Sequence, residues 1–238
     1  MTAVSTATSL VERIAEVRAR LIAAAHRSNR PVDEITLVAV SKTHPAEAVR
    51  EAIAAGLDNF GENRVQEAES KIPDVGRTAA RWHLIGHLQS NKARRAVELF
   101  DCIHSLDSPD LARRLNRICD ELERQELPVL IQVDLGHETT KTGAEEKDVS
   151  ELVAVIRDCP RLCLKGLMTL PPFFDEAERV RPYFRRLREL RDGLKAKGAF
   201  GDRPGELSMG MTHDFEIAIE EGATMVRVGT AIFGERGE

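Results

Sequence analysis

The 238-residue chain has no block of like charge, no long apolar run, no CxxC pair, no GxGxxG and only one tyrosine. Its 34 basic and 39 acidic residues are interspersed and leave a formal charge of −5, so the chain carries no basic arm for nucleic acid. The opening stretch MTAVSTATSLVERIAEVRARLIAAAHR interrupts its apolar positions with Glu or Arg every few residues. That excludes a secretory h-region and a membrane span, and the expectation is a soluble, cytoplasmic protein. The four cysteines, Cys102, Cys119, Cys159 and Cys163, read as small reduced core side chains. The Cys159/Cys163 pair has no neighbouring ligands to complete the four that structural zinc needs, and no metal is expected. With 42% hydrophobic residues and no linker, the chain suits one large core and leaves little room for a second domain.

What is present is a regular alternation. Leu10, Ile14, Val17, Leu21 and Ile22 recur at helical spacing between charges, which predicts an amphipathic helix within residues 1–30 that packs on the main fold of 31–238. Eight short apolar or β-branched runs follow: ITLVAVSK, DNFGEN, WHLIGH, CIHSLD, PVLIQVDL, LKGLMTL, ELSMGM and MVRVGT. Helical stretches at 45–55, 63–71, 89–99, 108–125, 145–157, 175–197 and 213–221 separate them. Alternating strand and helix imply right-handed βαβ units, and eight of them predict a single α/β domain, a (β/α)8 TIM barrel with an extra N-terminal helix. Pro45 suits a helix first turn, Asp107 or Ser108 a cap before Pro109, and Gly56, Gly198 and Gly222 helix stops. Residues 198–205 form a polar loop before strand seven.

In such a barrel the active face lies at the C-terminal strand ends. The first run ends at Lys42, where emergence from the apolar LVAVS favours the neutral amine that imine formation needs. A lysine there alone also suits a rim position. Strand seven ends in Ser208-Met209-Gly210-Met211 and strand eight in Arg227-Val228-Gly229-Thr230. Glycine lets the backbone approach an anion, Ser208 and Thr230 offer hydroxyls, and the amides of Gly229 and Thr230 open a short C-terminal helix. Thr212 reads as a cap for the helix near His213. Strands seven and eight adjoin strand one on closure, so amine and anion site share one mouth. A ligand with a carbonyl at one end and a phosphate at the other fits, either pyridoxal phosphate or a keto-sugar phosphate as in a class I aldolase. His83 and His87 lie four apart on a strand face without a third metal ligand, and lining the pocket is the better reading for one of them. Lys92 and Lys141 are loop lysines that would either steer phosphate or stay solvated, and Glu62 is a carboxylate with no evident proton-shuttling partner.

The segments LVAVSKTHP, FGENRVQE, WHLIGHLQSNK, KTG, GLMTL and ELSMGMTHDFEIAIEEGATMVRVGTAIFG, in this order, resemble the YggS/PROSC family of pyridoxal phosphate homeostasis proteins over nearly the whole chain. The resemblance implies the fold-type III barrel of alanine racemase and ornithine decarboxylase, without a C-terminal β-domain. It implies pyridoxal 5′-phosphate as the cofactor and Lys42 as the Schiff-base lysine. It further implies a phosphate loop at Ser208, Met209, Gly229 and Thr230, with Arg227 at the pyridine nitrogen or the phosphate. Asn63 would reach the ring 3′-oxygen, and His83 and Met168 would line the pocket. Two positions depart from the family pattern: Arg64 replaces a frequent aromatic residue and Asp134 a frequent Asn.

A pyridoxal phosphate catalyst needs an electron sink and a positioned acid or base. An arginine at the pyridine nitrogen weakens the sink. The chain ends eight residues after Thr230, without the extra domain that supplies a tyrosine base in racemases, and its single tyrosine, Tyr183, falls in a helix where packing explains it. The expectation is therefore a monomeric, non-catalytic carrier whose candidate recipients are apo pyridoxal phosphate enzymes. The alternative is a racemase or lyase of low activity.

Overall fold

Short aliphatic strands bury both faces when helices wrap a parallel sheet, and here that sheet closes on itself. The structure, a computed structural model, describes residues 8–136 and 142–234. The strands are β1 (Thr36–Val40), β2 (Asn59–Glu62), β3 (Arg81–Leu84), β4 (Cys102–Leu106), β5 (Leu127–Asp134), β6 (Ala144–Glu145), β7 (Leu162–Met168), β8 (Glu206–Ser208) and β9 (Met225–Val228). Their order is β4-β3-β2-β1-β9-β8-β7-β5, all parallel, and pairing of β4 with β5 closes an eight-stranded barrel. The two-residue β6 pairs only with the end of β5 and has no counterpart among the expected strands. Each of the eight expected runs coincides with a barrel strand that stops short of the run's C-terminal end, where the chain turns out into the mouth; β3, β5 and β7 begin one or two residues before their runs.

Around the barrel lie α1 (Leu10–Arg27), α2 (Ala46–Ala54), α3 (Val65–Val75), α4 (Ala93–Leu99), α5 (Pro109–Glu121), α6 (Val149–Arg157), α7 (Arg181–Ala196), α8 (Phe215–Glu220) and α9 (Thr230–Phe233). Two local expectations change. Helix α3 runs on to Val75 with Pro73 inside its last turn, at the cost of the bond an N–H there would donate to the carbonyl four residues earlier. Pro45 sits at the N-cap of α2 with extended backbone and not inside its first turn. Gly56, Gly198 and Gly222 follow helix C-caps with positive φ.

Helix α1 starts in a capping box: Glu12 N–H donates to Ser9 Oγ at 3.2 Å and Ser9 N–H donates to Glu12 Oε2 at 2.8 Å. Ile14, Val17, Leu21, Ala24 and Ala25 bury one face against α8 and α9. Ile22, adjacent to Leu21 and so turned away by about a quarter-turn, is 41% exposed. Arg13 Nε donates to Ile232 O at 2.7 Å, and Arg20 forms a two-point ion pair with Glu216. The helix thus braces the two helices that follow β8 and β9. All four cysteines are buried and free. Among the described residues no helix is long and apolar enough to cross a membrane.

The position of β8 depends on Gly166 of β7. A Cβ there would lie 2.0 Å from Glu206 O and 2.4 Å from Glu206 N, both backbone atoms of the paired strand. Gly166→Ala is expected to lower stability by about 3 kcal/mol, the upper end of overpacking costs, because ladder backbone cannot yield as a side chain does. A urea denaturation series on the variant and the parent measures this.

Candidate functional site

Lys42 lies two residues beyond β1 in a tight turn, where His44 N–H donates to Ser41 O at 3.1 Å. The turn places Thr43 at φ 68°, a left-handed conformation uncommon for a β-branched residue. Neighbouring groups hold it there. Thr43 N–H donates to Glu67 Oε1, Ser41 Oγ donates to Glu62 Oε1 at 2.7 Å, and the His44 ring stacks on Phe233 of α9 at 4.9 Å. Buried Lys71 of α3 joins these contacts, donating to Ser41 O (2.7 Å), Glu62 Oε1 (2.6 Å) and Glu67 Oε1 (2.9 Å). Glu62 is therefore a structural anchor beneath the Lys42 turn with Lys71 as its partner, not a lone carboxylate at the rim. Burial pushes its carboxyl up, and Lys71 and Ser41 act against that.

At the C-terminal end of the barrel a cavity of about 590 Å3 opens beside this turn. Of the residues singled out in the sequence, Lys42, Asn63, Arg227, Gly229 and Thr230 line it together. Gly86 holds Asn63 in place: a Cβ on that glycine would lie 2.3 Å from Asn63 O. His83, Met168, Ser208 and Met209 do not line the cavity. Met209 is wholly buried in the main core, and Met168 packs with Cys102 and Leu130. Ser208 closes β8 with its side chain turned inward, where its Oγ meets His104 and Arg227. The residues of this loop that line the cavity come three to five positions later: Met211, Thr212 and His213. Thr212 is not the cap of α8, which begins at Phe215 with Asp214 at its N-cap. Instead Gly229 N–H donates to Thr212 Oγ1 at 3.4 Å, tying the loop after β8 to the start of α9.

Arg227 is 2% exposed. Its Nη1 donates to Ser208 Oγ at 2.5 Å and its Nη2 to Thr169 O at 2.9 Å. No carboxylate among the described residues forms an ion pair with it; burial lowers its pKa to about 10 against the opposing charge of Asp214, which leaves it a cation at neutral pH. A buried cation facing a cavity without a carboxylate is a group that a lone pair or anion would complete.

The expected His83/His87 pair is not brought together. His83 is buried in the barrel, while His87 is exposed at the rim, 3.5 Å from Asp107. Lys92 and Arg64 line a neighbouring cavity of about 630 Å3 that shares Asn63, Gly86 and His87 with the first. Asp134 accepts from Gly136 N–H at 3.1 Å and shapes the turn after β5. Lys141 lies outside the described residues. Tyr183 packs on Phe174 at 5.8 Å and does not line the cavity. Sequence reasoning missed the apolar wall, which includes Ile85, Leu170, Phe173 and Met211, with Phe173 75% exposed and 5.4 Å from His213. The signal was available: two adjacent phenylalanines directly after strand six, on the loop side of the barrel. It also missed His104, a polar residue in the middle of the apolar run CIHSLD.

The chain matches the family described as alanine racemase, N-terminal domain, over residues 15–237. A protein of Escherichia coli K12 named pyridoxal phosphate homeostasis protein is 45% identical over 235 residues, covering 95% of this chain and 97% of the relative. PipY of Synechococcus elongatus, whose structure was solved with pyridoxal phosphate (PLP) bound, superposes with a TM-score of 0.80 at 40% identity, covering 95% of this chain and all of PipY. Alanine racemase of Corynebacterium glutamicum shares the fold, with a TM-score of 0.66 at 22% identity over 93% of this chain and 60% of the racemase. An amine at the end of the first strand of a racemase-type barrel, facing a buried arginine, defines the class, and the chain belongs to the family of pyridoxal phosphate homeostasis proteins.

Two outcomes follow from the buried charges. Lys71→Met would strand Glu62 and is expected to cost about 3–5 kcal/mol, most of it recovered in Lys71→Met/Glu62→Gln, as chemical denaturation would measure. Burial lowers the pKa of His83 to about 4 and holds His104 well below the ordinary 6.5. Between pH 6.5 and about 4 the unfolded chain gains protons on both rings that the folded chain does not, so stability falls as pH falls. Each ring contributes a slope of about 1.4 kcal/mol per pH unit, and His104→Gln should remove one such contribution from a pH series of denaturation curves.

Proposed function

We propose that this protein binds pyridoxal 5′-phosphate as a Schiff base on Lys42 and serves intracellular PLP homeostasis as a carrier, without catalysis of its own. The observation that carries this reading is the pairing of Lys42 and the buried Arg227 guanidinium, which has no ion-pair partner among the described residues, on the wall of one cavity. The residues present fit the group. Lys42 would engage the aldehyde, Arg227 the ring nitrogen, Asn63 the 3′-oxygen, and the start of α9 at Gly229 and Thr230 the phosphate. Ile85 and Leu170 would border the ring. The names of the relatives and the PLP-bound state of PipY support the same ligand.

When bound, the cofactor supplies a reactive aldehyde and, in catalysts, an electron sink. This chain's residues favour holding it. Arg227 stays charged and can only donate, so it cannot pass a proton to the ring nitrogen and strengthen the sink. Neither a tyrosine nor a carboxylate lines the cavity among the described residues, and the two lining histidines, His87 and His213, are exposed at the rim. The functional unit is taken as the barrel of residues 31–238 with the helix of 1–30 as its cover, acting as a cytoplasmic monomer. Apo PLP enzymes are the candidate recipients.

Purified protein mixed with PLP is expected to show imine absorbance, to be fixed on Lys42 by borohydride, and to melt at a higher temperature than without ligand. Lys42→Ala should abolish the absorbance and the covalent adduct. Solvent deuterium exchange at the α-carbon of amino acids, catalysed by the pure protein, would overturn the carrier reading in favour of a weak racemase or lyase.

A further inference from the structure

TIM-barrel interiors are usually filled by layers of branched aliphatic side chains. Here a line of polar groups crosses the interior from β9 to the start of β2. Arg227 Nη1 donates to Ser208 Oγ at 2.5 Å, and that hydroxyl lies 2.9 Å from His104 Nδ1. His104 Nε2 is 2.9 Å from His83 Nδ1, and His83 Nε2 is 3.0 Å from Asn59 Oδ1. Asn59 Nδ2 donates to Asp58 Oδ1 at 2.7 Å. Arg227, Ser208, His104 and His83 are each no more than 2% exposed.

The proton positions follow from the two ends. A guanidinium only donates, so Ser208 Oγ accepts from Arg227 and turns its own proton to His104 Nδ1. His104 then carries its proton on Nε2 and donates to His83 Nδ1, and His83 carries its proton on Nε2 and donates to Asn59. From the other end, a carboxylate only accepts, so Asn59 turns its amide NH2 to Asp58 and its carbonyl oxygen to His83. The Asp58 end fixes the direction, and the Arg227 end agrees with it, because the Ser208 hydroxyl then finds an acceptor for its own proton at His104. Every bond in the line points from the cavity toward Asp58, and reversing one between Ser208 and Asn59 leaves two donors or two acceptors facing each other, while the Asn59–Asp58 contact itself lies at the surface.

We propose that this one-way hydrogen-bond chain sets the orientation of the Arg227 guanidinium on the cavity wall, with His104 and His83 as positioning residues that act through Ser208. His83, Cys102 and His104 also place three metal-ligand atoms within 4.8 Å of one another. A metal ion would need the lone pairs of both facing ring nitrogens, whereas the 2.9 Å contact and the fixed direction put a proton between them. Burial also pushes the Cys102 thiol up to about 12, away from the thiolate a metal binds.

The effect on ligand binding rests on the PLP reading of the cavity, while the direction of the chain does not, and the experiment separates the two. Histidine-selective 15N NMR of the unliganded protein should show both buried rings as neutral Nε2–H tautomers, unchanged from pH 6 to pH 8. His104→Leu should weaken PLP about tenfold, the scale of one net hydrogen bond, and shift the absorbance of the bound form. His104→Gln can donate to His83 and accept from Ser208, and should restore the absorbance and bring affinity to within about threefold of the parent. Thermal melts confirm that each variant is folded.

An Nδ1–H tautomer on either ring overturns the chain, as does stoichiometric metal in the purified protein that disappears in His104→Leu. A folded His104→Leu with parental affinity and absorbance overturns the positioning role, as does a His104→Gln no better than His104→Leu. Parent protein with both Nε2–H tautomers but no PLP binding overturns the functional reading and leaves the chain standing.

Discussion

A guanidinium cannot be sealed inside a protein without satisfying its donors, and Arg227 is the group around which the barrel interior is arranged. Burial lowers its pKa to about 10, still far above neutrality, so the charge persists. Ser208 and the Thr169 carbonyl each take one N–H. Ser208 can accept only if its own proton has somewhere to go, which brings in His104, then His83, Asn59 and Asp58. One buried cation thus explains why residues on five strands and a loop are polar where aliphatic layers would otherwise pack. It also explains why both histidines stay neutral, since a second proton on either ring would meet a donor.

The other side of the cavity is organised by a different economy of charge. Lys42 sits in a turn whose next residue is left-handed, and that turn is locked by Glu62 at the end of β2, by Glu67 and Lys71 from α3 and by the His44–Phe233 stack from α9. Glu62 Oε1 accepts from Lys71 and the Ser41 hydroxyl, and Glu67 Oε1 from Lys71 and the Thr43 N–H. Helix α1 closes the arrangement from outside through Arg13 on Ile232 and its apolar face on α8 and α9. The lysine turn and the loops after β8 and β9 are therefore parts of one packed unit.

The barrel itself was legible because period and punctuation agreed: eight apolar runs, amphipathic stretches between them, and helix stops at Gly56, Gly198 and Gly222. Lys42, Asn63, Arg227, Gly229 and Thr230 were legible as strand-end residues, since every βα turn delivers its first residues to the same mouth. Ser208 and Met209 were assigned one step too far out. Where β8 stops depends on its pairing with β7 through Gly166, a tertiary contact that leaves no mark on the pattern of ELSMGM. Thr212 was given to a helix cap because a threonine before His213 suits one, yet α8 starts two residues later with Asp214 at its N-cap position, and the Thr212 hydroxyl accepts from Gly229 N–H. The Lys71–Glu62–Glu67 cluster escaped notice for a different reason: α3 reads as an ordinary charged helix until β1 and β2 are set against it. His104 and His83 are polar residues in apolar runs, a visible signal, but only barrel closure shows that they face each other.

The direction of the buried chain bears on what the cavity can do. At its cavity end stands a donor that keeps its charge at any physiological pH, so the chain cannot deliver a proton to a bound ring and take it back; it can only fix a positive, donor-rich wall. The two lining histidines, His87 and His213, stand exposed at the rim. Rate enhancement in acid–base chemistry comes from a positioned group working in a site that excludes water, and that combination is missing from the described lining. On the proposed reading the same wall would hold a ligand with a lone pair or anion toward Arg227 and a carbonyl toward Lys42, and the exposed Phe173 and Met211 would give that ligand an apolar margin.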